Sequence, residues 1–410
     1  MSTSTTHLTH ALEKAPRGRL QALLADCGVT VNGTRAFDIQ VHEPQAMQRM
    51  LRHGSLGLGE SYMDGQWDCE RIDQLVERLL RGALNQRFAN TRASRWLTWV
   101  SRVQNLQTRA RARIVGEQHY DVGNALFESM LDPYMNYSCA YWERAESLEQ
   151  AQLDKMELIC RKLELEPGMT LLDIGCGWGG LARYAAEQYG VSVVGLTISK
   201  QQHAWAVSRL QDLPVEIRCQ DYRDVRGRFD RVVSVGMFEH VGYKNYDTFF
   251  RKCRSVLRDD GLMLLHTIGS NTSVHSTDPW LHRYIFPYGM LPSIAQIGQA
   301  IEPCFVMEDW HNFGTDYDRT LMVWHERVNR AWNGLGDRYD DRFRRMWNFY
   351  LLACAGAFRA RNVQLWQIVL GKGDRARSYR RPALSASAVD QAVARRGATA
   401  HDESRNALRD

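Results

Sequence analysis

Four polar side chains in the 410-residue chain stand where chemistry could be done: Cys139 in MNYSCAYW, Glu239 in VGMFEHVG, His266 in LLHTIG and Tyr317 in FGTDYDRT. A carboxylate, an imidazole and a phenol that converge can bind, orient or accept a proton, and a thiol can act as a nucleophile or as a small buried hydrophobe. Each alone has an ordinary explanation as well. A carboxylate caps helices, a histidine is satisfied in a core, and a tyrosine fills a corner; for Cys139 the ordinary explanation is the better one. Only as a set gathered at one pocket do they point to catalysis.

The stretch that would gather them is TLLDIGCGWGG, Thr170–Gly180. Its apolar run reads as a short buried strand that stops at a glycine-rich turn and opens directly into a helix. Gly175 and Gly177 would let the backbone turn sharply beside a ligand, while Gly179 or Gly180 lets the helix lie close to the sheet. This is the pattern of a nucleotide-type site. The spacing Gly175, Gly177, Gly180 also satisfies GxGxxG, so a dinucleotide remains open on the glycines alone. Asp173 puts a carboxylate at the strand's end, able to orient the turn or to meet a cationic group on the ligand. The next strand, Val191–Leu196, ends in Gly195, Leu196 and Thr197 instead of the acid that holds an NAD ribose. Thr197 and Gln202 are its nearest polar groups, so S-adenosylmethionine stands ahead of NAD.

Alternating strands and helices must carry these residues. Ser147–Leu163 reads as a helix, followed by strand Thr170–Ile174, helix 179–189, strand Val191–Leu196, helix 199–210 and strand Val215–Arg218. Strand Arg231–Val235, helix Tyr246–Leu257 and strands Leu262–Ile268, Phe305–Trp310 and Thr320–Trp324 continue the series. Such alternation predicts a mostly parallel sheet covered on both faces, with ligands at the carboxyl ends of its strands. Tyr317 then falls just before the last strand. Arg327–Lys372 reads as helical and rich in aromatic residues. Upstream, Phe37, Ile39 and Val41 alternate like a strand, and Ile72, Leu75, Val76, Leu79 and Leu80 share one helix face. Between them Tyr62, Met63 and Trp67 either pack inside or face a lipid, with packing the favoured reading.

The length suits two domains, and the net charge of +5 permits contact with an anionic surface without establishing one. The nine cysteines contain no CxxC pair, so neither a zinc ribbon nor a disulfide framework is expected, and no metal site is predicted. The N-terminus lacks a signal-peptide pattern, which favours the cytoplasm. The longest apolar stretch near the C-terminus, 349–358, is too short to span a bilayer, so any membrane contact is expected to be peripheral. Arg81, Arg87, Arg92, Arg95, Arg102, Arg109, Arg111 and Arg113 are interleaved with Trp96, Leu97 and Trp99. That segment fits a headgroup-binding surface and a solvated connecting helix equally. No nucleic-acid module accompanies the charge, and no nucleic-acid partner is expected.

The motifs LGLGESYMDGQWD, HYDVGN, DPYMNYSCAYW, LLDIGCGWGG, GLTISKQQ, QDYRD, FEHVG, HTIG, FPYGMLPS and DYDRTLMVW, in this order, resemble those of the cyclopropane-fatty-acyl-phospholipid synthases, relatives of the mycolic acid cyclopropane synthases. The resemblance runs from about Leu56 to the C-terminal helical region. It implies an α/β fold: a seven-stranded Rossmann-like S-adenosylmethionine-dependent methyltransferase domain, a small N-terminal α+β domain and C-terminal helices. The expected division is a flexible 1–18, a lipid- or membrane-engaging 19–82, a basic linker 83–115, a catalytic 116–382 and a disordered 383–410. It implies that Tyr137, Ser138, Asp173, Gly175, Gly177, Gly179, Thr197, Gln202, Tyr222 and Arg223 surround S-adenosylmethionine. Cys139, Glu239, His266, Ile268 and Tyr317 match the positions that hold a bicarbonate ion in that family, with Cys139 and Ile268 contributing through backbone groups. The implied activity is cyclopropanation of unsaturated acyl chains in membrane phospholipids by a homodimer at the inner face of the membrane. The alternatives are a lipid methyltransferase that stops at a methyl branch and a non-catalytic peripheral membrane protein.

Overall fold

The computed structural model describes residues 16–84, 123–373 and 378–384. Arg87 to Arg113 of the basic segment, the first four residues of HYDVGN and nearly all of the predicted tail lie outside the described residues.

The N-terminal segment holds α1 (Pro16–Ala25), β1 (Gln40–Val41), α2 (Gln45–His53), α3 (Ser55–Met63), β2 (Trp67–Asp68) and α4 (Ile72–Arg81). The alternation around Ile39 gives only a two-residue strand, β1, paired antiparallel with β2. Tyr62, Met63 and Trp67 are buried. In α4 the inward residues are Ile72, Leu75 and Leu79, spaced for one helical face.

After α5 (Asn124–Met130) comes α6 (Leu148–Lys162), whose start is fixed by Ser147, the side chain of which accepts from the backbone N–H of Gln150. The alternating region follows as β3 (Thr170–Ile174), α7 (Gly180–Tyr189), β4 (Ser192–Thr197), α8 (Lys200–Arg209), β5 (Val215–Cys219), β6 (Phe229–Val235), α9 (Tyr246–Val256) and β7 (Leu257–Ser270). Then come α10 (Pro279–Tyr284), α11 (Ile294–Ile301), β8 (Val306–Asn312), α12 (Thr315–Ala331), α13 (Asp341–Arg359) and β9 (Val363–Gly371).

The large sheet has seven strands in the order β5-β4-β3-β6-β7-β9-β8. Neighbours from β5 through β7 pair in parallel, and β9 runs antiparallel between β7 and β8. The chain reverses its direction of winding between β3 and its neighbours β4 and β6, which opens a crevice at their carboxyl ends. Successive residues of β3 serve opposite faces. Leu171 packs with α6 and α7 through Ile159, Leu181 and Ala185, whereas Leu172 packs with Phe249 and Phe250 of α9.

Two sequence expectations are corrected. Thr320–Trp324 is not a strand: it lies in α12, where Tyr317, Thr320, Leu321, Trp324 and Val328 form the buried stripe. Their spacing is helical, and a five-residue apolar run taken alone does not distinguish the two. Nor is Arg327–Lys372 helical throughout, because β9 occupies its end. Every β9 residue from Gln364 to Gly371 is buried, and a strand covered on both faces shows no polar alternation. Tyr317 therefore stands in the first turn of a helix and not before a strand.

α13 joins the two parts of the molecule. Its Phe349 ring lies 5.6 Å from Tyr62 and 4.8 Å from Trp280, and a Cβ on Gly356 would collide with the backbone carbonyl of Asp73 in α4. Arg359 makes a bidentate contact with Asp318 of α12 at 2.8 Å and reaches the buried Asp73 at 2.6 Å. Among the described residues no helix is long and apolar enough to cross a membrane.

Candidate active site

The turn after β3 is built from glycines in the left-handed region. Gly175 has φ 87°, and a Cβ there would lie 2.6 Å from Met237 Cβ, so the turn closes against the loop after β6 only because a side chain is missing. A cavity of about 180 Å³ opens at this turn. Asp173, Gly175 and Gly177 line it from the turn, Tyr137 and Ser138 from the loop before α6. Thr197 and Gln202 line it from β4 and α8, and Tyr222 and Arg223 from the segment after β5. Gly179 does not line the cavity. It caps α7 in a left-handed conformation beneath the turn, against Leu210.

Several of these groups hold one another. The Thr197 hydroxyl donates to Gln202 Oε1 at 2.9 Å. Arg223 is paired in bidentate fashion with Asp221 at 2.8 Å, which directs its guanidinium to a protein carboxylate. Tyr137 and Tyr350 share a hydrogen bond between their hydroxyls at 2.7 Å. Asp173 is buried, and desolvation pushes its carboxyl up to about 7 against the opposing pull of Lys155. A cationic ligand in the cavity would stabilise the charged form.

Lys155 is the residue the motif reading missed. Fully buried, it donates to Asn136 Oδ1 at 3.0 Å and to Ser138 Oγ at 2.8 Å, bracing the loop that carries Tyr137 and Ser138. Burial brings its pKa down to about 8, opposed by Asp132, Cys139 and Asp173. The signal for it lay in the spacing of Leu148, Ala151, Gln152, Lys155, Ile159 and Lys162. That stripe is the buried face of α6, and its polar members face the sheet and the loop instead of water.

Of the five positions matched to an anion site, Cys139, Glu239, His266 and Tyr317 are buried and Ile268 is half-buried, and none of them lines the cavity. Glu239 Oε1 accepts from the Ile268 backbone N–H at 2.7 Å, joining the loop after β6 to the end of β7. His266 and Ile268 are two apart on β7 and share a face. Glu239 Oε2 and His266 Nε2 are buried and have no hydrogen-bond partner among the described residues. Burial pushes Glu239 up to about 7, with the Ile268 N–H opposing. Burial, and then the charges of Lys155 and Lys162, hold His266 well below its ordinary value. Tyr317 packs on Phe358 with ring centroids 4.6 Å apart, and burial, reinforced by Cys139, Tyr137 and Glu239, raises its phenol. The Cys139 thiol donates to the Ala140 carbonyl at 3.2 Å and is kept protonated first by burial and then by Asp316. Its side chain is therefore a buried thiol and not an activated nucleophile.

A bicarbonate ion fits this donor set. His266, neutral, can offer an N–H from Nε2, and Glu239, its carboxyl raised to about 7, can offer or receive a proton at Oε2. The Ile268 N–H is already engaged by Glu239, so in this arrangement Ile268 acts by aiming the carboxyl.

Residues 107–368 match the family model described as mycolic acid cyclopropane synthetase. The chain belongs to that family. It is 55% identical over 351 residues to the cyclopropane-fatty-acyl-phospholipid synthase of Escherichia coli strain K12, an alignment covering 86% of this chain and 92% of that protein. Among solved structures, the cyclopropane synthase MmaA2 from Mycobacterium tuberculosis superposes with a TM-score of 0.60 at 33% identity, covering 63% of this chain and 98% of that one. The mycolic acid cyclopropane synthase CmaA1, complexed with SAH and CTAB, gives a TM-score of 0.58 at 31% identity, covering 65% and 99%. The chain is thus an enzyme of this family, a homologue of cyclopropane-fatty-acyl-phospholipid synthase with the fold of the S-adenosylmethionine-dependent methyltransferases.

Proposed function

We propose that the protein converts the cis double bond of unsaturated acyl chains in membrane phospholipids into a cyclopropane ring, with S-adenosylmethionine as the one-carbon donor. The observation that carries this reading is the pair of buried atoms without a partner among the described residues, Glu239 Oε2 and His266 Nε2, in a chain that also carries a glycine-turn cavity of nucleotide type. The homology to the Escherichia coli enzyme supports the phospholipid as substrate, and the SAH in the CmaA1 complex supports the donor.

The sulfonium supplies a methyl group whose S–C bond breaks with its electron pair going to sulfur. The alkene's π electrons form the new C–C bond, leaving positive charge on the acyl chain. One proton of the new methyl must then leave, and the electrons of that C–H bond close the ring. Bicarbonate, when bound, supplies a base for that proton. Glu239 and His266 would orient it, with Tyr317 donating from the side of α12. The rings of Tyr137, Trp324 and Tyr317 lie in a connected group, with Tyr137 and Trp324 5.2 Å apart, and their faces would stabilise the cation. Asp173 and the cavity wall would hold the donor, and Lys155 would hold the loop against it.

The substrate lies in a bilayer, so the protein would work peripherally from the cytoplasmic face, as a homodimer. The test is incubation with S-adenosylmethionine and vesicles of unsaturated phospholipid, followed by mass spectrometry and proton NMR of the fatty acids. Gain of one methylene with cyclopropyl protons is expected. A methyl branch without those protons would select a lipid methyltransferase instead, and no gain in mass would overturn both readings.

A further inference from the structure

His266, Gln367 and His311 sit directly opposite one another on β7, β9 and β8. Directly paired residues rise from the same face of a sheet, so the three form a row running from the anion site toward the sheet edge. Gln367 is fully buried, and its amide Nε2 lies 3.3 Å from His266 Nδ1. The amide turns Nε2 to the ring and leaves Oε1 unpaired among the described residues; an amide nitrogen only donates, so in this orientation Nδ1 accepts. The ring is neutral, because burial and the nearby charges of Lys155 and Lys162 oppose its protonation. A neutral imidazole carries one proton, and with Nδ1 accepting, that proton sits on Nε2. Nε2 is also the ring atom that lacks a partner among the described residues.

We propose that Gln367 is a positioning residue that fixes His266 as the Nε2–H tautomer, so that the ring presents a hydrogen-bond donor to the bound anion. The inference rests on the reading of Glu239 and His266 as an anion site. It explains what that reading leaves open: the other tautomer would aim a bare lone pair at a negatively charged oxygen. It also explains why a neutral amide occupies this place. On the far side of the row Lys162 contacts His311 Nδ1 at 3.1 Å and pairs with the buried Asp309 at 3.3 Å, and Asp309 in turn pairs with Arg381. A carboxylate at 367 could only accept and would hold a proton on His266 Nδ1; the amide, with Nε2 toward the ring, donates to Nδ1 and adds no charge that would favour the imidazolium.

The test reads the tautomer directly. Protein labelled with 15N at histidine gives long-range 1H–15N correlations, and the His266 signals are the set missing from His266→Gln. Wild type should show the Nε2–H pattern. Gln367→Leu should lose the fixed tautomer, and Gln367→Glu should move the proton to Nδ1 or charge the ring. In both variants kcat should fall about tenfold or more while KM for S-adenosylmethionine changes less than about twofold. The near-isosteric Glu variant keeps the test open if the Leu variant does not fold. A wild-type Nδ1–H pattern, or an unaltered Nε2–H pattern in both variants, overturns the proposal. Because the spectrum needs no turnover, full activity in Glu239→Gln would defeat the anion-site reading while leaving the tautomer result intact.

Discussion

Glu239 is the side chain on which charge and chemistry are most tightly tied. Its folded-state pKa is raised from the ordinary 4.5 to about 7 by burial, so folding favours the protonated form, and ionisation works against the folded state as pH rises between those values. Glu239→Gln removes that dependence. The variant should match wild type in thermal stability below about pH 4 and exceed it near pH 8 by up to about 3 kcal/mol; a deficit at pH 8 would mean that the carboxylate is held by a compensating partner. Turnover should fall by about a hundredfold or more, while S-adenosylmethionine binding, measured by calorimetry, should change less than about twofold because the side chain does not line the cavity. Glu239 and His266 were readable in the sequence because each follows or ends an apolar strand. Gln367 was not, lying in a strand buried on both faces where no pattern separates a packed amide from one that orients a neighbour.

At the scale of elements, the strand–turn–helix around Gly175 could be read directly, since glycine positions and β-strand apolarity report the same local geometry. The C-terminal part could not. α12 and β9 exchange the identities their residues suggest because tertiary burial decides between periods in short apolar runs. α13 carries the longest-range consequence. It presents Gly356 to α4 and Tyr350 to Tyr137 at the cavity wall. Gly356→Ala would force α4 away from α13, since the added methyl meets backbone and not a flexible side chain. The expected cost is about 1–3 kcal/mol, seen as a lowered midpoint in thermal unfolding, with an accompanying loss of S-adenosylmethionine affinity if the Tyr137–Tyr350 bond is disturbed. An unchanged midpoint would show that the two helices separate without cost.

On the proposed function, the whole molecule must bring the donor and an apolar acyl chain from a bilayer to the same place. The cavity opens at one end of the sheet, and the N-terminal segment packs on α13, where Tyr62 and Trp67 are buried against Phe349 and serve the core. On the proposed function, attraction to an anionic bilayer falls to the basic segment, where the sequence offers Arg92, Arg95, Arg102, Arg109, Arg111 and Arg113 without an intervening acid. Each arginine near an anionic surface contributes about 1 kcal/mol, screened by salt. Replacing Arg109, Arg111 and Arg113 with glutamine should weaken binding to vesicles rich in anionic lipid by about tenfold to a hundredfold and flatten its dependence on salt. Activity on detergent-dispersed unsaturated lipid should be retained, because the role proposed for the three is attraction to an anionic surface and not chemistry. Unaltered vesicle binding would make the segment a solvated connector, and the membrane would have to be recognised by another surface.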